Sequence, residues 1–445
     1  MEQARGQWGS SMGFILAAAG SAIGLGNIWR FPYVTGENGG AAFLILYLLC
    51  VVLICLPYLF AELLLGRSSH KNPVGAIEAI RGKGSPWVWA GALGVITGVG
   101  ILSYYAVIAG WTLGFIFKGF VAPHLGFSAF TGNPLVGISL FAVFLVLTVG
   151  VVLGGVESGI ERTAKVLMPV LLVLMVLIIV RGLTLPGAKA GLVFYLKPDF
   201  SQVTSKTVLT ALGQAFFSLS LGMGAMITYG SYLPKTADLR RSGAFVAFFD
   251  TLIAVLAGFM IFPAVFAMGA RPDAGPSLVF VVLPQVFASM PLGSLVSVVF
   301  FVLLAIAALT STVSLLEVVV AYFVDERMWS RRKSAWTVGL VTFVIGLPSA
   351  LSAGAVGGLT TMRFLGKESF LGIMDYLWGN ISLALGALLL SIFVGWIWGV
   401  KQAGEELKLG STITDEGIRF WGIFIRYICP VVIFVVLLDV FGVFD

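Results

Sequence analysis

Between Gly20 and Arg30 the first long apolar run of this sequence gathers four residues that weaken a helix: Gly20, Ser21, Gly24 and Gly26. The polar Asn27 and the charged Arg30 follow at once. Each glycine costs a helix interior about 1 kcal/mol relative to alanine. A run that only crossed lipid would have no use for them. Irregular backbone is tolerated at membrane depth only where it is buried in protein or lines a cavity. The stretch therefore predicts an interrupted helix whose freed amides and carbonyls face something other than lipid. Half-helix ends of this kind carry partial charge, amides favouring an anion and carbonyls a cation.

The rest of the chain supports a membrane setting. Of its 445 residues 59% are hydrophobic and only 11% charged, against about 25% in soluble proteins. Mean hydropathy is +1.02. At about 20 apolar residues per crossing, eleven segments emerge: roughly 11–35, 40–65, 87–119, 134–153, 160–181, 207–233, 242–268, 292–324, 335–351, 370–400 and 417–442. The apolar stretch 276–290, cut by Pro284 and Pro291, is too short to cross and predicts a re-entrant or surface hairpin. The first ten residues are polar and lead straight into a full span, so no cleavable signal peptide is expected. Cys50, Cys55 and Cys429 all fall in apolar runs, and the only histidines are His70 and His124. That argues against disulfide, thiolate-metal and imidazole-metal chemistry.

A net charge of +6 has two readings, nucleic acid or membrane topology. With the N-terminus in the cytoplasm, seventeen lysines and arginines fall on the inner side and nine outside, Arg426 being left unassigned. This is the positive-inside pattern, with an outside C-terminus and no nucleic-acid partner. It places the chain in the inner (plasma) membrane as a multi-pass protein.

Segment 6, five spans after the first break, carries Phe216-Phe-Ser-Leu-Ser-Leu-Gly-Met-Gly224, an interruption of the same kind. Glycine breaks at matching places in two five-helix halves point to an inverted-repeat transporter with its site near the midplane. The expected architecture is all-α and single-domain over 1–445. Its repeats span about 8–182 and 202–402, with an extra helix at about 417–442.

Charged residues at membrane depth are functional candidates. Asp250 lies mid-way along segment 7 with no Lys or Arg near it in its own helix. A bound cation is one natural partner, with Asn27, Ser218 and freed carbonyls around Ala22 as further oxygen ligands. A protonated structural aspartate is the alternative. Thr310-Ser311-Thr312 sets three hydroxyls together in segment 8. These serve either a cation or ordinary helix-to-helix bonding. Arg30 and Asp375 near the outer side, and Arg5 and Asp325 at the inner side, could close the two ends of a pathway or remain solvated charges. Glu62 and Glu317 are expected to bond to backbone or hydroxyls of neighbouring helices, with no transport role.

These residues resemble a family, the neurotransmitter:sodium symporters, and most closely its bacterial amino-acid members with the LeuT-like fold. The motifs that carry the likeness are Gln7-Trp-Gly9, Gly24-Leu-Gly-Asn-Ile-Trp-Arg-Phe-Pro-Tyr33, Glu37-Asn-Gly-Gly40, Tyr104-Tyr105 with Trp111-Thr-Leu-Gly114, Gly159-Ile-Glu-Arg162 and Ser218-Leu-Ser-Leu-Gly-Met-Gly224. The resemblance implies a sodium-coupled symporter working by alternating access, not an enzyme. A first sodium site would use the Ala22 carbonyl, Asn27, Ser218, Asp250 and the substrate carboxylate, coupling ion to substrate directly. A second would use carbonyls of Gly20, Ile23 and Ala307 with the hydroxyls of Thr310 and Ser311. The substrate carboxylate would meet the amides of Leu25 and Gly26 and the Tyr105 hydroxyl. Its ammonium would meet carbonyls of Ala22, Phe217 and Ser218, and Ser220. Its side chain would lie among Ile101, Tyr105, Phe217, Ser220, Met223, Ser311 and Leu315. Phe217 and Tyr105 would cover it beneath Arg30 and Asp375, while Arg5, Trp8, Ser231, Tyr232 and Asp325 would close the inner side.

Departures within the family sharpen the reading. Monoamine carriers have an acidic residue where this chain has Gly24, so space for the substrate's own carboxylate implies an α-amino acid. Chloride-dependent relatives have a neutral residue at Asp250 and a serine at Ala254. The carboxylate of Asp250, near Tyr47, Gln214 and Ser218, would replace chloride, and no chloride requirement is expected. Animal relatives have twelve spans, this chain eleven. The apolar pocket favours neutral hydrophobic amino acids, branched-chain or aromatic. Gly159 and Pro169, with nine residues between them in segment 5, resemble a family motif that lets the inner half of that helix unwind. The main alternative is a proton-coupled amino-acid transporter of the same fold. Such relatives commonly carry a lysine near the second sodium site, and this chain shows no basic residue at membrane depth in segment 5. An enzyme would need a catalytic cluster, and a channel a continuous pore.

Overall fold

The computed structural model describes residues 6–121, 125–273, 275 and 277–444. Among these, nine helices are long and apolar enough to cross a membrane: Ala41–Ser69 (α3), Val88–Val121 (α4), Pro134–Leu153 (α5), Val156–Leu183 (α6), Leu239–Ala267 (α9), Gly293–Arg327 (α10), Arg331–Leu351 (α11), Phe370–Lys408 (α12) and Asp415–Val440 (α13). A tenth crossing is a bent pair, Ser11–Ala22 (α1) and Gly26–Glu37 (α2), meeting at 52°. The remaining expected segment, the sixth, is divided more deeply, into Ser205–Ser218 (α7) and Ala225–Gly230 (α8). Neither half is long enough to span alone.

Both interruptions have local causes. In the first, α1 stops at Ala22, and Ile23 turns to an extended ψ of 108°. The chain restarts at Gly26 as a π-helical turn through Arg30. Between α7 and α8, Ser220, Gly222 and Gly224 all take positive φ (53°, 84° and 77°). Glycine visits that region freely, whereas for Ser220 it costs free energy and marks a site where the surroundings hold the backbone. The two breaks face each other: Ser220 Oγ donates to the Ser21 carbonyl (3.1 Å), Asn27 Nδ2 to Ser218 Oγ (2.9 Å) and Gln214 Nε2 to the Gly26 carbonyl (2.9 Å).

Around this junction α4 and α10 form the longest helix–helix interface, while α1 packs on α6, α9 and α10. The most apolar window of α4 is 78% buried, whereas those of α6 and α13 are 28% buried. The first is therefore central and the other two peripheral, with Val166, Val173, Val180, Val431 and Phe434 turned outward, as lipid-facing surfaces require. Polar caps fix several helix starts. Ser10 accepts from the Gly13 amide, Asp238 from Arg241 and Thr414 from Gly417, satisfying amides that have no partner within the helix.

Two details differ from expectation. Among the described residues of the stretch 276–290 there is a single helix, Leu278–Ala288, rather than a hairpin. Phe280 pins it through ring contacts with Trp29, Trp111, Phe115 and Phe127 at 5.4–6.1 Å, an aromatic cluster contributed by remote parts of the chain. The fold also has one small β-hairpin, Arg363–Phe364 against Lys367–Glu368. It is closed by Leu365 and Gly366, both at positive φ, as tight hairpins prefer.

Candidate functional site

A cavity sits where the two breaks meet. Ala22, Gly24, Gly26, Ile101, Tyr105, Phe217, Ser220, Met223, Ser311, Ser314 and Leu315 line it. Each of the expected side-chain neighbours of a substrate is therefore present, and Ser314 is an addition that the sequence did not single out. The cavity volume is about 30 Å³, so the side chains close tightly around it. Tyr105 crosses from α4 and accepts from the Leu25 amide at 2.9 Å. Gly24 allows this approach: a Cβ there would lie 2.4 Å from Ser311 Oγ and 2.6 Å from the Tyr105 hydroxyl. The Ser21 carbonyl, not anticipated, accepts from both Ser220 and Ser311. Its exposure follows from the end of α1.

Beside the cavity, Asn27, Tyr47, Gln214, Ser218 and Asp250 converge. All five are buried, Asp250 completely. Asn27 Nδ2 donates to Asp250 Oδ1 at 2.7 Å, and Ser218 Oγ donates to Oδ2 at 2.9 Å. Tyr47 donates to Ser218 Oγ at 3.2 Å, and the Gln214 Oε1 atom is buried without a partner. Asn27 Oδ1 accepts from the Gly24 amide at 3.1 Å, so this amide bridges the break to the carboxylate. An amide presents donors on one side and an acceptor on the other. A half-turn of Asn27 would direct its oxygen toward Asp250 Oδ1, and holding a cation between the two oxygens would require them to separate beyond the present 2.7 Å.

A second group of oxygens lies on the other side of the α1 break. Thr310 Oγ1 donates to the Ala307 carbonyl at 3.0 Å and Ser311 Oγ to those of Ile23 and Ala307 at 3.3 Å. Gly20 is next to them: a Cβ there would be 3.1 Å from Met168 Sδ and 3.4 Å from Thr310 Cβ. The sequence-predicted set of Gly20, Ile23, Ala307, Thr310 and Ser311 is thus assembled, and Met168 brings α6 against it.

Toward one face, Phe217 lies over Gly26, and Arg30 Cζ stands 4.6 Å from the Phe217 ring centre. Among the described residues Arg30 makes no ion pair within 4 Å with Asp375. The guanidinium caps the aromatic ring instead of the carboxylate. Toward the opposite face Trp8 is buried among Phe14, Tyr229 and Tyr232, and its Nε1 donates to the Tyr229 carbonyl at 2.9 Å. Tyr232 donates to Glu317 at 2.6 Å, and Glu317 also pairs with Arg331. The expected hydroxyl partner of Glu317 is present, and the arginine is an addition. Ser231 offers its carbonyl to His70 Nδ1 (3.1 Å), and Asp325 accepts from the Asn72 amide (2.9 Å). Arg5 lies outside the described residues. Glu62, expected to bond to backbone, accepts from the Gly222 amide at 2.7 Å.

A further acid was hidden in the sequence. Glu161 accepts from the Gly9 amide at 2.6 Å and the Ser10 hydroxyl at 2.9 Å, tying the start of α1 to α6. Its place within Gly159-Ile-Glu-Arg162 was the available signal.

Comparison with known proteins agrees with this geometry. The chain matches the sodium:neurotransmitter symporter family over residues 5–128 and 128–444. It is 41% identical to a sodium-dependent transporter of Bacillus subtilis, YhdH, over 99% of each chain. It is 34% identical to a sodium-dependent transporter of Haemophilus influenzae over 98% of each. The crystal structure of MhsT in complex with L-phenylalanine superposes with a TM-score of 0.89 at 46% identity, covering 98% of this chain and 100% of that one. A polytopic membrane protein with two facing helix breaks, this chain belongs to the sodium:neurotransmitter symporter family, a family of sodium-dependent transporters and not of enzymes.

Proposed function

We propose that the protein imports neutral hydrophobic L-amino acids together with sodium, by alternating access and without chloride. The observation that carries this reading is the apolar cavity at the meeting of the two breaks, directly beside the buried carboxylate of Asp250. Ile101, Phe217, Met223 and Leu315 give the cavity an apolar wall, with no charge to receive a charged side chain. Methionine is adaptable, which suits branched-chain and aromatic substrates. The likeness to MhsT, whose crystal structure contains L-phenylalanine, supports the same substrate class.

In this reading the substrate carboxylate lies at the amides of Leu25 and Gly26 and the Tyr105 hydroxyl, and its ammonium at the carbonyls of Ala22, Phe217 and Ser218 and at Ser220. The first sodium is held by Ala22, Asn27, Ser218 and Asp250 together with that carboxylate. Hard cations prefer oxygen ligands, and the Asn27 half-turn supplies one. The second sodium is held by Gly20, Ile23, Ala307, Thr310 and Ser311. Sharing the carboxylate makes each ligand raise the other's affinity by the same factor. Phe217 with Arg30 and Asp375 closes the outer side. Trp8, Ser231, Tyr232 and Asp325, with Arg5, close the inner side. The N-terminus is cytoplasmic, the C-terminus outside, and the membrane the inner (plasma) membrane. One transporter domain contains both repeats, about 8–182 and 202–402, and the helix at about 417–442 stands beyond them.

Two experiments test the finer points. Asp250 supplies a fixed negative charge beside the first sodium, so replacing chloride by gluconate leaves sodium-driven uptake in proteoliposomes unchanged. Collapse of uptake in gluconate would refute chloride independence. Pro169 lacks an amide proton and weakens the helix interior, and its neighbour Met168 packs toward Gly20, where a Cβ would lie 3.1 Å from Met168 Sδ. Local opening of α6 there would admit water and release that ion. Pro169→Ala is expected to slow turnover severalfold with equilibrium binding retained. Unchanged turnover and unchanged inward opening would rule this route out.

A further inference from the structure

Arg426 is a charge that neither the cavity nor the two closures use. It stands in α13, seven residues after Arg419, or about 10 Å of helix rise beyond it. Alongside, α12 runs antiparallel. A Cβ on Gly422 would meet Val400, and one on Gly395 would lie 2.8 Å from Arg426 Cα. The charged residues of this corner, Lys401, Glu405, Lys408, Asp415, Glu416 and Arg419, all lie to one side of that level. Helical side chains lean toward their N-terminus, so Arg426 leans toward the same side. This is how a long cation reaches the headgroup boundary.

Its guanidinium has aromatic walls and no acid. Cζ is 4.2 Å from the Trp396 ring centre and 5.4 Å from that of Tyr427. Trp396 Nε1 donates to the Arg426 carbonyl at 2.9 Å, fixing the wall in place. Arg426 Nε is buried without a hydrogen-bond partner. Among the described residues no carboxylate pairs with it. The rim is open and apolar: Trp396 and Tyr427 are each 50% exposed, Ile423 51% and Val431 63%. An unpaired arginine at membrane depth is costly and marks a functional site. A guanidinium binds phosphate through paired N–H donors, and exposed Trp and Tyr suit the lipid interface.

We infer that Arg426, between Trp396 and Tyr427, binds the phosphate of an anionic phospholipid in the leaflet on the Trp8 side. The acyl chains lie along Ile423 and Val431. The apolar rim favours a lipid over free phosphate, and the single positive charge favours an anionic headgroup.

The test is native mass spectrometry of the purified full-length protein titrated with phosphatidylglycerol or phosphatidylcholine of identical chains. The wild type is expected to retain phosphatidylglycerol selectively. Arg426→Gln should weaken that retention ~tenfold, about 1.4 kcal/mol, with phosphatidylcholine retention unchanged. Excess inorganic phosphate should not displace the lipid. Trp396→Leu provides a second variant and should weaken retention in the same direction, each variant being checked for monodispersity and thermal stability. The proposal is overturned by equal retention in wild type and both variants, by equal retention of the two lipids, or by displacement with phosphate. Dimers that dissociate on Arg426→Gln would assign the site to a second copy of the chain and overturn it as well.

Discussion

Asp250→Asn should abolish sodium-dependent amino-acid binding, weakening sodium affinity by ~100-fold or more. The carboxylate is fully buried, and its two oxygens face Asn27 and Ser218, both neutral. No Lys or Arg compensates it within the cluster. Two unit charges 4 Å apart interact by about 4 kcal/mol at an effective dielectric of about 20, and each 1.4 kcal/mol is tenfold in affinity. Asparagine keeps the shape and removes the charge, so the variant should fold while losing the ion. Asp250→Glu retains charge at a displaced position and should fall between. Scintillation proximity with radioactive sodium reads this directly. Sodium dependence equal to wild type in Asp250→Asn would remove Asp250 from the ion site.

Gly24→Asp should cost amino-acid affinity ~100-fold or more, while amines that lack a carboxylate gain. The backbone at Gly24 is not in the left-handed region, so a side chain is no obstacle to folding on that ground. The obstacle is space: a Cβ would fall 2.4 Å from Ser311 Oγ and 2.6 Å from the Tyr105 hydroxyl. It would displace the Tyr105 bond to the Leu25 amide, where the substrate carboxylate is proposed to bind. An aspartate also places a negative charge against that carboxylate, and like charges held this close repel strongly. Gly24→Ala separates the two effects, since it introduces bulk without charge and should lose amino acid without gaining amine. Competition of labelled leucine by phenylalanine and by phenethylamine measures both. If amino-acid binding survives in Gly24→Asp, the carboxylate position is wrong.

How much of this was legible in the sequence depends on the range of the interaction. The break at Gly24 was legible because weak helix formers cluster locally. So was the break at Gly222 and Gly224, but not its width, because Ser220 holds positive φ within a bond to Ser21 that exists only after the two breaks meet. Asp250 stood out as an isolated acid in an apolar run. Its partners Asn27 and Ser218, 223 and 32 residues away, came from the family resemblance together with their polarity. The Glu317–Arg331 pair was missed because it folds across the turn between α10 and α11. Arg67 was missed because its partner is remote in sequence: it is buried against Glu406, 339 residues away. Arg30 and Asp375 were expected as a pair, yet a π-helical turn carries each of them. Such turns are rare and local, and nothing in the composition of these stretches marks them. Arg30 Cζ instead stands 4.6 Å from the Phe217 ring centre.

The most direct test of the account is binding of a labelled panel of neutral amino acids to the purified protein, in sodium and in choline. Leucine, phenylalanine, tyrosine or tryptophan should bind in sodium and be lost in choline, and sodium affinity should rise by the same factor when the amino acid is present. Binding that persists in choline and follows pH would contradict the shared carboxylate–sodium site.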